Sequence, residues 1–236
     1  MSMPVVIALG GNLGDVRSTG ETALTQLNDT PGIEVVRSSR WYSTEPVGCE
    51  GRFLNAAALL HSELTPTQLL LRMLEIESLH GRVRTGHWTP RPLDLDLVLF
   101  GQWKIDHPQL KLPHPSAWCR RFVLDPACDV AGQLVHASYG QTLHALRNRL
   151  LPRPMVVSWG QGMSSDLVVD EALSEKFGSQ IRWAGPQESA VVRFVLATES
   201  ASGPFEVRVP HDVDIARRIM IETLTALLDE PKVVGS

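Results

Sequence analysis

The chain has 236 residues, 43% hydrophobic and 20% charged, with 22 basic against 26 acidic side chains and a net charge of −4. At roughly 100–200 residues per domain this gives one or two domains of ordinary globular usage, and the acidic balance excludes a general nucleic-acid binder, which must displace counterions from phosphates. No run approaches the ~18 apolar residues of a membrane span, Met1-Ser2-Met3-Pro4 lacks a basic n-region, and three cysteines without metal spacing (Cys49, Cys119, Cys128) argue against a disulfide or zinc scaffold, so a cytoplasmic protein is expected.

Val5 to Leu9 is a short apolar run that ends at Gly10-Gly11-Asn12-Leu13-Gly14, a buried strand followed by a tight loop. The loop departs from G-x-G-x-x-G and reads as a turn rather than a dinucleotide fingerprint. Asp15 is placed to cap a helix over 16–28, ended by Asp29-Thr30-Pro31-Gly32. Ile33 to Tyr42 and Phe53 to His61 supply two β-rich strands. Thr65-Pro66-Thr67-Gln68 combines an N-cap, a proline at the first helical position and a capping-box Gln, opening a helix that runs to His80 with Gly81 as a left-handed cap. Leu93 to Phe100 alternates as a fourth strand. The order β-α-β-β-α-β is the split pattern of a ferredoxin-like α+β sandwich, two helices on one four-stranded antiparallel sheet.

Charge divides the chain. Residues 1–152 carry 14 basic and 14 acidic groups, whereas 153–236 carry 8 and 12. Leu151-Pro152-Arg153-Pro154 falls at that boundary and discourages a continuous helix or central strand, so two units are expected, 1–150 and 155–236. In the second, Met155 to Trp159, Gln180 to Trp183, Val191 to Ala197 and Phe205 to Val209 read as strands, the last two separated by a hairpin-type loop. Leu167 to Phe177 reads as a short helix, and Asp212 caps a longer one through Leu228 with Ile215, Ile219, Leu224 and Leu227 as its apolar stripe. This additional small C-terminal α+β unit shows no nucleophile–base pair, metal spacing or phosphate loop. Its acidity and size suggest self-association as its role.

Several residues break their local rule. Period 2 on the fourth strand puts Leu93, Leu95, Leu97 and Leu99 on one face and Asp94 and Asp96 on the other. Two carboxylates so placed are either a solvated strand end or hard ligands of the kind Mg²⁺ takes together with phosphates. Upstream, Gly81-Arg82-Val83-Arg84-Thr85-Gly86-His87-Trp88-Thr89-Pro90-Arg91 has three guanidiniums and no apolar period. It is a solvated loop, or a lid closing over a polyphosphate. Glu77 lies on the apolar stripe of the second helix among Leu70, Met73 and Leu74, at the rim of the core or paired with a site. His114 is held between Pro113 and Pro115, which suits a presented ligand as well as a structural one.

Arg82 through Asp96, written G-R-x-R…W-x-P-R-x-L-D-L-D, resembles the signature of the 6-hydroxymethyl-7,8-dihydropterin pyrophosphokinase family of folate synthesis. Ala8 to Asp15, Tyr42 to Gly48, Phe53 to Ala57, and Pro113-His114-Pro115 with Arg120 and Phe122 extend the resemblance over about 4–150 in the correct order. The resemblance implies a ferredoxin-like fold and transfer of pyrophosphate from ATP to the pterin hydroxymethyl group with release of AMP. It implies two Mg²⁺ held by Asp94 and Asp96, with Arg82 and Arg91 stabilising charge and Asp96 placed to receive the hydroxyl proton. Glu77, Arg84, Trp88, Leu97, His114 and Arg120 would serve ATP, and Thr44, Val47, Phe53, Asn55 and Phe122 would hold the pterin. The partners implied are these two small substrates, with no nucleic acid or membrane. His87, Leu74 and Phe53 depart from residues found in other members. Without the resemblance, a silent pterin- or nucleotide-binding module and a metal-dependent sugar-nucleotide transferase remain open.

Overall fold

The structure, a computed structural model, describes residues 2–45, 51–82, 90–160, 162–163, 171–184, 188–200 and 203–235. The chain divides into two compact units, Met1–Leu146 together with Asp229–Ser236, and Arg147–Leu228. The expected boundaries at 150 and 155 therefore differ in kind as well as position: the last eight residues rejoin the first unit.

In the first unit, β1 (Met3–Gly11) leads into helix α1 (Val16–Asn28), capped by the Asp15 side chain, which accepts from Ser18 N–H at 3.0 Å. Then come β2 (Ile33–Ser38), β3 (Tyr42–Thr44) and β4 (Phe53–Ser62). Helix α2 (Pro66–Leu79) opens with the full Thr65–Gln68 capping box and ends at Gly81 with φ 81°. β5 (Asp94–Phe100) follows, then a small hairpin of β6 (Ile105–His107) and β7 (Leu110–Leu112), and helix α3 (Arg121–Ala131). A second hairpin, β8 (Val135–His136) and β9 (Gln141–Thr142), precedes α4 (Leu143–Asn148).

β1 lies antiparallel between β4 and β5, and β2 and β3 both pair with β4. The expected single strand from Ile33 to Tyr42 is thus two. Ser38 pairs with Ala58 and Tyr42 with Asn55, so β4 meets one fewer residue, and Trp41 turns into the core. The expected period of β5 also breaks. Ile7 pairs with Leu97 and Val6 with Leu99, so Val98 is an extra, bulged residue. Phe100 consequently joins Leu93, Leu95 and Leu97 in the core formed with α1 and α2, instead of facing the other way. That core holds Val5, Ile7 and Leu9 from β1 with Leu27 of α1 and Leu69, Met73 and Ile76 of α2. α3 packs against β1 and β4, giving the sheet a helix beyond the two expected.

In the second unit, β10 (Met155–Trp159), α5 (Glu171–Phe177), β11 (Ile181–Ala184), β12 (Val192–Leu196), β13 (Glu206–Val209) and α6 (Val213–Leu228) follow in order. The sheet order is β11-β10-β12-β13, and every pairing is parallel. This corrects the hairpin expected between β12 and β13: the two strands run in the same direction. The unit is accordingly α/β rather than α+β. On α6, Asp212 caps Ile215 N–H at 2.9 Å as expected, but the buried stripe is Ala216, Met220, Leu224 and Leu227. Ile215 is exposed. Among the described residues no helix is long and apolar enough to cross a membrane.

Candidate active site

The sheet positions the site through one row of paired residues. Gly10 pairs with Asn55 on one side and Asp94 on the other, and Ala8 pairs with Ala57 and Asp96. Directly paired residues share a sheet face, so Asn55, Asp94 and Asp96 all lie on the face opposite the α1–α2 core. Two strand spacings of about 4.8 Å put Asn55 and Asp94 roughly 10 Å apart. The row needs glycine. A Cβ on Gly10 would sit 3.1 Å from Asn55 Oδ1, and one on Gly11 would sit 2.6 Å from the Pro92 carbonyl oxygen.

Around Asp94 the charges interlock. One Arg82 guanidinium nitrogen donates to both Glu77 Oε1 and Asp94 Oδ1. Arg91 Nε lies 3.0 Å from Asp94 Oδ2, so each oxygen of this carboxylate faces a guanidinium. Burial nevertheless pushes the Asp94 carboxyl up from its ordinary range, and the neighbouring Asp96 charge adds to this, while Arg91 and Arg82 oppose it. For Arg82, burial disfavours the charge, but Asp94 and Glu77 outweigh it. Glu77 is only 2% exposed and accepts Leu95 N–H at 2.7 Å. Its Oε1 thus ties α2 to β5 and holds Arg82.

Asp96 is the open member of the pair, with 41% of its side chain exposed. His114 Nε2 lies 4.0 Å from Asp96 Oδ2. Its Nδ1 accepts Ser116 N–H at 3.2 Å, which leaves Nε2 to carry the proton of the neutral ring. Burial lowers the His114 pKa, Asp96 works against this, and Arg120 reinforces it. The His114 backbone N–H bonds to Val98 O at 3.0 Å, so the bulged residue of β5 anchors it.

On the other side, Asn55 Nδ2 donates to Thr44 Oγ1 at 2.9 Å, and both residues are buried. The Arg91 guanidinium lies 5.6 Å from the centre of the Phe53 ring, and Arg120 lies at the same distance from Phe122. Leu97 sits in the hydrophobic core at 4% exposure, so its side chain is not available to a ligand. Val47, Arg84 and Trp88 lie outside the described residues. One residue the sequence reading gave no role is Asn12. Its Oδ1 accepts Arg91 N–H at 2.9 Å and its N–H bonds to Arg91 O at 3.0 Å, clamping that backbone at both ends. The signal was an Asn inside a glycine loop, which looks like any turn.

The donor set fits a magnesium–phosphate complex. Asp94 and Asp96 offer hard oxygens on one face, and their mutual repulsion favours a cation between them. No group of three or more His, Cys, Asp or Glu side chains among the described residues could hold a metal ion. Mg²⁺ bound by one or two carboxylates takes its remaining ligands from water and substrate phosphates.

Similarity to known proteins falls on this unit. Residues 6–132 match the family profile of 7,8-dihydro-6-hydroxymethylpterin-pyrophosphokinase. The 2-amino-4-hydroxy-6-hydroxymethyldihydropteridine pyrophosphokinase of Synechocystis is 37% identical over 139 residues, 58% of this chain and 71% of that one. The same-named protein of Pseudomonas aeruginosa is 40% identical over 136 residues, covering 57% of this chain and 84% of its own. The folate synthesis bifunctional protein of Arabidopsis thaliana is 44% identical over 131 residues, 54% of this chain and 27% of that one. Among solved structures, wild-type Plasmodium falciparum HPPK-DHPS superposes with a TM-score of 0.51 at 14% identity, over 63% of this chain and 45% of that one. At that identity the likeness is one of fold, and this chain spans less than half of that structure.

Proposed function

The chain belongs to the 7,8-dihydro-6-hydroxymethylpterin-pyrophosphokinase family, an enzyme family of folate synthesis, and from that premise we propose its reaction and the role of each residue. ATP is the donor. The pterin hydroxymethyl oxygen bonds to the β-phosphorus, the bond from that phosphorus to the AMP oxygen breaks, and the pyrophosphoryl group remains on the pterin. The first unit is the ferredoxin-like catalytic body.

One observation carries the reading: Asp94 stands with Arg82 and Arg91 one strand away from Gly10, and Asn55 stands one strand away on the other side. On this reading phosphate chemistry and pterin recognition lie about 10 Å apart across one strand ladder. Asn55 supplies donor and acceptor to the aminopyrimidinone edge beside Thr44, and Phe53 and Phe122 offer ring faces for stacking. Arriving phosphate oxygens compete with Asp94 for Arg82 and Arg91, so guanidiniums parked on a carboxylate are transferred to the charge that develops in the reaction. Asp94 and Asp96 would hold two Mg²⁺, which supply neutralisation of phosphate charge. Asp96, the more exposed carboxylate, receives the hydroxyl proton. His114 and Arg120 contact the nucleotide.

AMP formation from ATP, measured with and without the hydroxymethyl dihydropterin, tests this. AMP that depends on the pterin is expected. Pterin binding without turnover would identify a silent binding module, and hydrolysis of a sugar nucleotide would identify a different transferase.

A further inference from the structure

The chain leaves the first unit at Arg147 and returns at Asp229, and the returning segment lies outside the matched residues 6–132. The final strand, β14 (Lys232–Val233), pairs antiparallel with β3, Lys232 opposite Ser43 and Val233 opposite Tyr42. Val234 N–H bonds to Trp41 O at 2.9 Å, and Arg17 donates to Gly235 O at 3.3 Å. At the other end, the half-buried Asp229 carboxyl lies within electrostatic reach of the Glu230 and Glu45 backbone and of the Arg121 charge. Arg121 in turn is buried with Asp125 at 2.7 Å.

β3 is three residues long and bears Thr44, whose hydroxyl accepts from Asn55. A strand that short, at the edge of a sheet, is held poorly by one neighbour. Here it has two: β4 inside and β14 outside. Resting on the pterin-binding role of Thr44 and Asn55 argued above, we infer that residues 229–235 are a positioning segment for the pterin subsite, which fixes β3 and the chain leaving it at Glu45. Binding pterin then costs less ordering of Thr44, because the returning strand has already ordered it. The phosphate side, on β5 and three strands beyond β3, does not depend on it.

The experiment uses the full chain with Val234→Pro, which removes the N–H bonded to Trp41 O, and Val234→Ala, which keeps it. A chain ending at Pro231 removes the strand altogether. For Val234→Pro the KM for pterin should rise roughly tenfold, the equivalent of about 1.4 kcal/mol, with the KM for ATP and the melting temperature close to wild type. Val234→Ala should match wild type, and the shortened chain should lose at least as much pterin affinity as the proline variant. An unchanged pterin KM overturns the inference, as does an equal loss in Val234→Ala. Parallel loss of pterin affinity, ATP affinity and folded state in both Val234→Pro and the shortened chain overturns it too, since the strand would then carry the fold and not the pocket. If wild type neither binds pterin nor makes AMP with it, the function itself falls and this falls with it; active wild type with unaffected variants refutes the positioning role alone.

Discussion

Replacing Glu77 separates its two contacts. It is 2% exposed, and its Oε1 accepts Leu95 N–H at 2.7 Å while also receiving Arg82. In Glu77→Ala, the Leu95 N–H is orphaned at about 1–3 kcal/mol, and a hydrogen bond between charged groups is lost at about 1.5–3 kcal/mol. The sum, about 2.5–6 kcal/mol, brackets the ~3–5 kcal/mol that removing one partner of a buried ion pair usually costs. At about 2–4 °C per kcal/mol the melting temperature should drop on the order of 10 °C. Glu77→Gln keeps a carbonyl for Leu95 and loses only the charge, so about half that drop is expected. In Glu77→Ala, Arg82 loses one of its two carboxylate partners and keeps Asp94, and kcat/KM should fall about tenfold or more, since a displaced guanidinium no longer meets the developing charge; Glu77→Gln, whose amide oxygen still accepts from Arg82, should lose less. Calorimetric melting and AMP production measure the two effects. A Glu77→Ala variant melting within about 2 °C of wild type, or a Gln variant no better than Ala, would refute the reasoning.

Asp96→Ala should lose turnover by roughly 10²-fold or more in AMP production while melting near wild type, because it removes an exposed carboxylate that repels Asp94. Gly11→Ala should lower kcat/KM at least tenfold, as its Cβ would stand 2.6 Å from Pro92 O and displace the backbone leading from Arg91. His136 is buried with neither ring nitrogen partnered among the described residues, and burial lowers its pKa to about 4. The unfolded chain takes up that proton near pH 6.5, so stability is lost as pH falls from about 6.5 to 4, by up to about 3 kcal/mol. His136→Phe should abolish that slope in denaturant titrations. Asp229 has the opposite sign: burial raises it to about 6, so its contribution is present below about pH 4 and lost as pH rises through 6, by at most about 2 kcal/mol after discounting solvent contact. Asp229→Asn should flatten stability over that window and melt no lower than wild type at pH 8.

The local signals in the sequence resolved well where one physical rule governs. Asp15, the Thr65–Gln68 box and Gly81 each mark a helix end by a hydrogen bond or a positive φ that few other residues provide, and the helices begin and end there. What the sequence hid is tertiary. The bulge at Val98 reverses the face of Phe100 without any Gly or Pro to announce it, since Val, Leu and Phe suit either face of a buried strand. α3 carries Pro126 in its interior, which masks the helical spacing of Val123, Leu124, Ala127 and Val130. In the second unit, the Gly203-Pro204 turn signal reads as a hairpin whichever way the next strand runs. Direction is set by which neighbour the strand finds, and no residue in the loop encodes that.

The candidate site divides in the same way. Arg82, Arg91, Asp94 and Asp96 could be read because like charges on one strand face, close to guanidiniums, violate ordinary burial rules. Asn12 could be read only as an Asn in a turn, and Glu77 from its own spacing only as an acid at a core rim or beside a site, because the contacts that distinguish them are to other parts of the chain. Asn12 fixes the Arg91 backbone and Glu77 fixes Arg82, so both act on the same Asp94 from opposite sides. That convergence accounts for the glycines as well. Gly10 and Gly11 leave room for Asn55 and for the backbone at Pro92 against β1, the strand that stands between the one bearing Asn55 and the one that Arg91 leads into. A loop that reads as a plain turn is thus the element through which the two halves of the site are held in register.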